Sequence, residues 1–286
     1  MNSKELLHAA TAGPMAKMSE NSLPAARNRR HLSHEAPAIR VPTSVLNILA
    51  VIVALGIWWA LGTLGIGGLP GPPQVFHRFA VLAGNGVLGR DVWASTFRVL
   101  VGFAIGTTLA ILVGLLMGWY RTLQALLDPI IHFYRMIPPL ATIPLAVVLF
   151  GIGQTPKIIV ISLAAFLTTV IAVIEGVKNV DKTLINAARV LGLSSAGVFR
   201  RVIIPASLPY IFVGMRVGLG ACWATLVAAE LIAAHSGLGY LMSQAQIFYD
   251  LPAIFVGLIC IGLLGLIMDS CLRFASRRLT SWQETR

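Results

Sequence analysis

Six apolar stretches dominate this sequence, near residues 45–67, 97–120, 129–150, 157–177, 211–233 and 252–272. Each is about 20 residues long, enough to cross about 30 Å of hydrocarbon as a helix rising about 1.5 Å per residue. Composition agrees. Hydrophobic residues make up 57% of the 286 and charged residues 12%, against about 25% charged in soluble domains. Mean hydropathy is +0.82. An ordinary soluble enzyme, a disordered chain and a disulfide scaffold are excluded. The predicted fold is an all-α integral membrane protein with six transmembrane helices. The third stretch is the least regular, because Pro138, Pro139 and Pro144 interrupt it. Prolines are tolerated there only if neighbours satisfy the freed carbonyls.

Lys and Arg exceed Asp and Glu by 11. In a soluble protein that excess suggests nucleic acid. Here the charges fall in tails and loops, so topology explains them and no nucleic-acid partner is expected. The tail 1–40 carries Lys4, Lys17, Arg27, Arg29, Arg30 and Arg40 and reads as a disordered basic segment with no cleaved leader. The loop 178–210 carries Lys178, Lys182, Arg189, Arg200 and Arg201, and the C-terminal tail 273–286 carries Arg273, Arg277, Arg278 and Arg286. The intervening loops are poor in Lys and Arg. The positive-inside rule therefore predicts cytoplasmic termini and a cytoplasmic 178–210 loop. Cys222, Cys260 and Cys271 lie in or near apolar runs without Cys-x-x-Cys spacing and read as buried thiols.

Gly102, Gly106, Gly114 and Gly118 in the second stretch, and Gly214, Gly218 and Cys222 in the fifth, recur at spacings of four and eight. Such spacing stacks small residues on one face, where a second helix can approach closely.

The 178–210 loop is the most informative segment. Asp181 suits a helix N-cap, and Gly192 suits a left-handed C-terminal stop. Between them, Leu184, Ala187 or Ala188, and Leu191 lie one turn apart on one face. Ser194 or Ser195 can cap a second short helix, which Pro205 is expected to end. A short helix with a small apolar face thus sits in the cytosol between two spans.

This loop resembles the EAA loop of bacterial ABC importer permeases. Asn186-Ala187-Ala188, then Gly192, then Val202-Ile203-Ile204-Pro205 match that pattern's spacing. Asn186 stands where the family carries Glu. Three more segments are similar to the nitrate/sulfonate/taurine branch. They are Leu69-Pro70-Gly71-Pro72; Tyr134 to Ala141 with Phe150-Gly151-Ile152-Gly153; and Trp223 to Ile232 followed by Ser236-Gly237-Leu238-Gly239-Tyr240. The look is closest to taurine permeases. The resemblance implies a type I importer permease fold: a first transmembrane helix at 45–67, a five-helix core at 97–272 and a cytoplasmic coupling helix. It implies an inner-membrane homodimer, two cytosolic ABC ATPase subunits and an extracytoplasmic binding protein. It assigns contact with the ATPase to Leu184, Asn186, Ala187, Ala188, Arg189, Leu191 and Gly192. ATP and Mg would belong to the ATPase, and no cofactor to this chain. The implied cargo is a small organic anion, taurine or another alkanesulfonate first, nitrate or bicarbonate second.

No Ser/His/Asp set, zinc spacing, carboxylate pair or Gly-x-x-x-x-Gly-Lys-Ser/Thr loop stands out, so no catalytic or metal-binding residue is assigned. Charges at membrane depth need a reason. Arg135, just before the proline break, is a candidate for attracting an anionic substrate, with pairing to Asp128 or snorkelling to head groups as the alternatives. Pro138, Pro139, Trp223 and Glu230 complete the candidate translocation pathway. For Trp223 aromatic packing, and for Glu230 structural hydrogen bonding, are the competing roles. Residues 239–249 suggest a short surface helix with Leu241, Ala245 and Phe248 on one face. Two rival functions remain, an ion-gradient-driven secondary transporter and a membrane scaffold that transports nothing.

Overall fold

A computed structural model describes residues 43–281. The expectations for the tail 1–40 and for residues 282–286 lie outside the described residues. The described chain is helical: α1 (Thr43–Thr63), α2 (Pro72–Gly84), α3 (Val87–Trp119), α4 (Arg121–Met136), α5 (Ile143–Phe150), α6 (Gln154–Lys178), α7 (Lys182–Val190), α8 (Ser195–Val198), α9 (Ile204–Ala233), α10 (Leu238–Ile247) and α11 (Leu251–Leu279). From Val51 onward the chain packs as one unit, within which the contacts below lie.

Small residues set the helix directions. A Cβ on Gly102 would sit 2.6 Å from Ile161, one on Gly114 2.7 Å from Val173, and one on Gly118 2.5 Å from Val177. Gly106 meets the backbone of Ser162 in the same way. Positions rise together on both helices, so α3 and α6 are parallel and nearly touch backbone to backbone. This is the small-residue packing seam expected at these spacings. The chain between them must therefore return across the layer. On α9 the pairing is reversed: Gly214 faces Ala172 and Gly218 faces Thr169, so α6 and α9 are antiparallel. Arg216 against Asp269 and Trp223 against Gly265 make α9 and α11 antiparallel. The core fills the seams between these helices, with Val99, Ile161, Ala165, Leu219, Cys222 and Leu226 fully or nearly enclosed.

The structure shows part of the six-span expectation and corrects others. Among the described residues, four helices are long and apolar enough to cross a membrane: α3, α6, the continuous Ser195–Ile232 helix, and α11. The third apolar stretch is a broken pair, Arg121–Met136 and Pro139–Phe150, bent by 88°. Two successive prolines and Pro144 deny the donors a straight helix needs. Counting the pair as one crossing gives five. α1 is a helix of 21 residues, Thr43–Thr63, with Ile48–Thr63 as its apolar part. The second span begins at Val87, ten positions earlier than expected, because its polar first turns find buried partners. Pro205 does not end a helix. The chain runs through a wide π turn, Phe199–Ile203, into α9; the wider turn absorbs the donor that Pro205 lacks. Cys222 and Cys260 are buried thiols as expected, but Cys271 is exposed.

Candidate functional site

Three features carry chemical or mechanical information: a cavity at the broken helix, a buried polar knot at one end of the bundle, and α7 at the other.

The break between α4 and α5 leaves a cavity of about 600 Å³ against α6 and α9. Arg135, Pro138 and Pro139 form one wall. Thr168 and Ala172 of α6, and Val217, Ala224, Thr225 and Ala228 of α9, form the others. Arg135 is the one charged lining residue, and among the described residues it has no ion-pair partner. Asp128 accepts from Gln124 Nε2 at 3.2 Å instead. A guanidinium with free donors beside an otherwise apolar wall can bind an anionic oxygen cluster through paired hydrogen bonds.

Trp223 and Glu230 do not line this cavity. Spacing on α9 explains why: Gly214, Val217, Ala221, Ala224 and Ala228 share the cavity face, whereas Leu219, Trp223, Leu226 and Glu230 share the opposite one. Trp223 is buried among Val99, Phe103 and Leu226, so the packing role holds for it. Glu230 is 1% exposed and sits in a polar knot.

The knot assembles on α3. Asp91, Ser95 and Arg98, at spacings of four and three, lie on one face and are all buried. Arg98 Nη1 donates to Glu230 Oε1 and, at 2.8 Å, to the Ser236 carbonyl; Nη2 donates to Ser236 Oγ at 3.0 Å. Arg98 Nε donates to Gln154 Oε1 at the first residue of α6. Ser95 Oγ donates to the Glu230 carboxylate at 2.9 Å and accepts from Leu238 N–H at 2.8 Å. Gly239 N–H donates to Glu230 Oε2 at 2.8 Å, and Gly237 N–H to Asp91 Oδ1 at 3.0 Å. Gly237 has φ +122, and a Cβ there would collide with the Glu230 carboxylate, so only glycine fits this turn. A carboxylate and a guanidinium buried in lipid are costly unless every lone pair and donor is used. Here the pair is embraced from four elements. The structural role weighed for Glu230 is the one its geometry fits. Sequence reasoning missed Asp91, Ser95 and Arg98, although their common helical face was a usable signal.

At the opposite end, α7 begins and ends as its sequence dictates. Asp181 accepts from Thr183 N–H at 2.8 Å. Gly192 takes φ +80, and Leu193 N–H closes on the Ala188 carbonyl at 3.1 Å, the hydrogen bond of a glycine-terminated helix. Ser194 accepts from Gly197 N–H at 3.2 Å and caps the next helix. One expectation reverses. Ala188 is buried with Val177, Val180, Val198 and Ile203 of its own chain, and Ile185 packs alongside. The free face carries Leu184, Ala187, Val190 and Leu191; Val190 is 88% and Leu191 78% exposed. Asn186 and Arg189 are exposed as well. Ala188 therefore holds α7 to the bundle, and the neighbouring face is the one left open. At the knot end, α10 forms close to where a surface helix was expected, with Leu241 and Ala245 buried and Phe248 exposed.

Comparison with known proteins follows the same lines. Residues 106–281 match the family described as binding-protein-dependent transport system inner membrane component. A probable ABC transporter permease protein of Brucella abortus (strain 2308) is 59% identical over 239 residues, covering 84% of this chain and 96% of that protein. The taurine transport system permease protein of Escherichia coli (strain K12) is 40% identical over 261 residues, covering 88% and 94%. The fold is similar to a chain of the MetNI methionine ABC transporter in an inward-facing conformation, with a TM-score of 0.59 at 22% identity over 68% of this chain and 96% of that one. This chain belongs to the binding-protein-dependent transport system inner membrane components and is a non-catalytic ABC permease subunit, its ATPase being a separate chain.

Proposed function

We propose that two copies of this chain form the membrane pathway of an ATP-driven importer for a small organic anion, taurine or another alkanesulfonate first. Each copy crosses six times, α1 and the broken α4–α5 pair included, with both termini in the cytosol. Two ATPase subunits dock on α7, and an extracytoplasmic binding protein delivers substrate at the knot end. The observation that carries this reading is the exposed apolar face of α7. Leu184, Val190 and Leu191 project from a helix that is capped at both ends and seated by Ala188. A stiff seated helix transmits displacement to Val180, Val198 and α9, whereas an unstructured loop would absorb it. ATP binding moves the permease only if the ATPase binds its two states with different affinity.

Arg135 in the cavity supports an anionic cargo, and the E. coli relative named for taurine supports a sulfonate. The chain's own positive loops support the cytosolic placement of α7. Proteoliposomes carrying the permease, its ATPase and its binding protein test the reading. Labelled taurine should accumulate with internal ATP and no ion gradient. Accumulation that needs a proton or sodium gradient, and ignores ATP, would instead identify a secondary transporter.

A further inference from the structure

We propose that Arg98 and Glu230 are positioning residues of the transport cycle. They bind the ends of α3, α6 and α9 and the 236–239 turn into one body, so that segment 137–153 is the part that swings. This rests on the ATP-driven reading above.

The contrast in bonding is the argument. Within the knot, Glu230 accepts from Arg98, Ser95 and Gly239, and Arg98 also donates to Gln154 and Ser236. Lys157, buried one turn beyond Gln154, faces the same charges. Sliding α3 past α9 would break several of these bonds at once and strand ions in a medium of low dielectric. Segment 137–153 has no such ties. Among the described residues, its hydrogen bonds are local, such as Ala141 N–H to the Pro138 carbonyl and Gly151 N–H to the Val147 carbonyl. Its seat is apolar: Ile143 and Ala146 pack in one cluster with Val160 and Ala229. Apolar contacts are non-directional and can slide.

The ends of the segment fit a hinge. Upstream is the Pro138–Pro139 corner of the 88° bend, which is also a wall of the cavity. Downstream is the 151–153 turn, where Gly151 takes φ +76. The next residue, Gln154, is held by Arg98 Nε. The knot thus anchors the chain at the point where the loose segment stops. Swinging this segment moves Pro138, Pro139 and Leu140 and so changes access to Arg135.

Two reversible locks test the proposal in the complete transporter, in a background of C222A, C260A and C271A that turns over ATP. Ala146→Cys with Val160→Cys ties the segment to α6. Leu88→Cys with Leu241→Cys ties α3 to α10 inside the fixed body. Oxidation of the first pair should cut ATP turnover at least tenfold, with recovery on reduction. Oxidation of the second should leave turnover within twofold. The rate at which the second pair forms its disulfide should not depend on ATP, but should become ATP-dependent when Glu230→Gln is added. Equal inhibition by both locks, full turnover with the first disulfide formed, or a second-pair rate that Glu230→Gln leaves insensitive to ATP would each overturn the inference. Absence of ATP turnover in the complex that keeps its native cysteines would overturn the functional reading and this inference with it.

Discussion

Arg98 on α3 and Glu230 on α9, 132 positions apart in the chain, meet as an ion pair with both side chains out of solvent. Removing one partner strands the other. Glu230→Leu or Arg98→Met alone should destabilise the protein by about 3–5 kcal/mol, whereas the double variant restores most of that loss. Thermal unfolding of the four proteins in detergent checks this as a double-mutant cycle. Purely additive losses would show that the pair does not act as a unit.

The α3–α6 seam has no room for side chains at its closest points. Gly106→Val pushes a branched carbon into the Ser162 carbonyl and Ala165. We expect a loss of about 1–3 kcal/mol from this overpacking. Gly220→Ala, on a part of α9 with nothing within 4 Å, should be neutral or gain about 0.5–1 kcal/mol from helix propensity. Melting temperatures of the two variants, compared in one detergent, decide whether the seam is as tight as described.

Ala188 and Val190 are two residues apart and should behave oppositely. Ala188→Glu forces a carboxylate among Val177, Val180 and Val198, where an unpaired charge is costly. It should lower the melting temperature and the yield. Val190→Glu, on the open face, should leave both unchanged and reduce the ATPase recovered with the purified permease at least fivefold. Matched losses of stability in both variants would contradict the division of α7 into a seated and a free face.

Arg135→Ala should lower uptake of labelled taurine at least fivefold in proteoliposomes, mainly through a raised KM, while ATP-driven cycling persists. Arg135→Lys, which keeps the charge but not the planar fork, should fall between. Unchanged kinetics in Arg135→Ala would remove this guanidinium from the pathway.

What the sequence could convey depended on how local the cause was. The caps of α7 and α8 are written in Asp181, Gly192 and Ser194, each acting within a few residues, and all three appear where expected. The glycine spacing on α3 likewise declares a close helix neighbour. The prolines at 138 and 139 announce a break, but the 88° direction of it depends on α6 and α9. Asp91 and Arg98 gave no local sign of what they bind, because Gly237 and Glu230 lie more than 130 positions away. Periodicity placed Ala188 on a face of α7 but not which faces turn inward. That is decided by Val180 before the helix and Val198 and Ile203 after it. On α9 the same periodicity separates the cavity face from the face of Trp223 and Glu230, and only the neighbouring helices reveal which is which.

The central claim is that a separate ATPase grips the free face of α7. Val190→Cys, in the cysteine-replaced permease, carries a short bifunctional crosslinker in intact cells. The account predicts capture of the ATPase subunit, with an efficiency that changes when ATP is depleted. Efficient labelling of Val190→Cys with no ATPase captured in either state would contradict it.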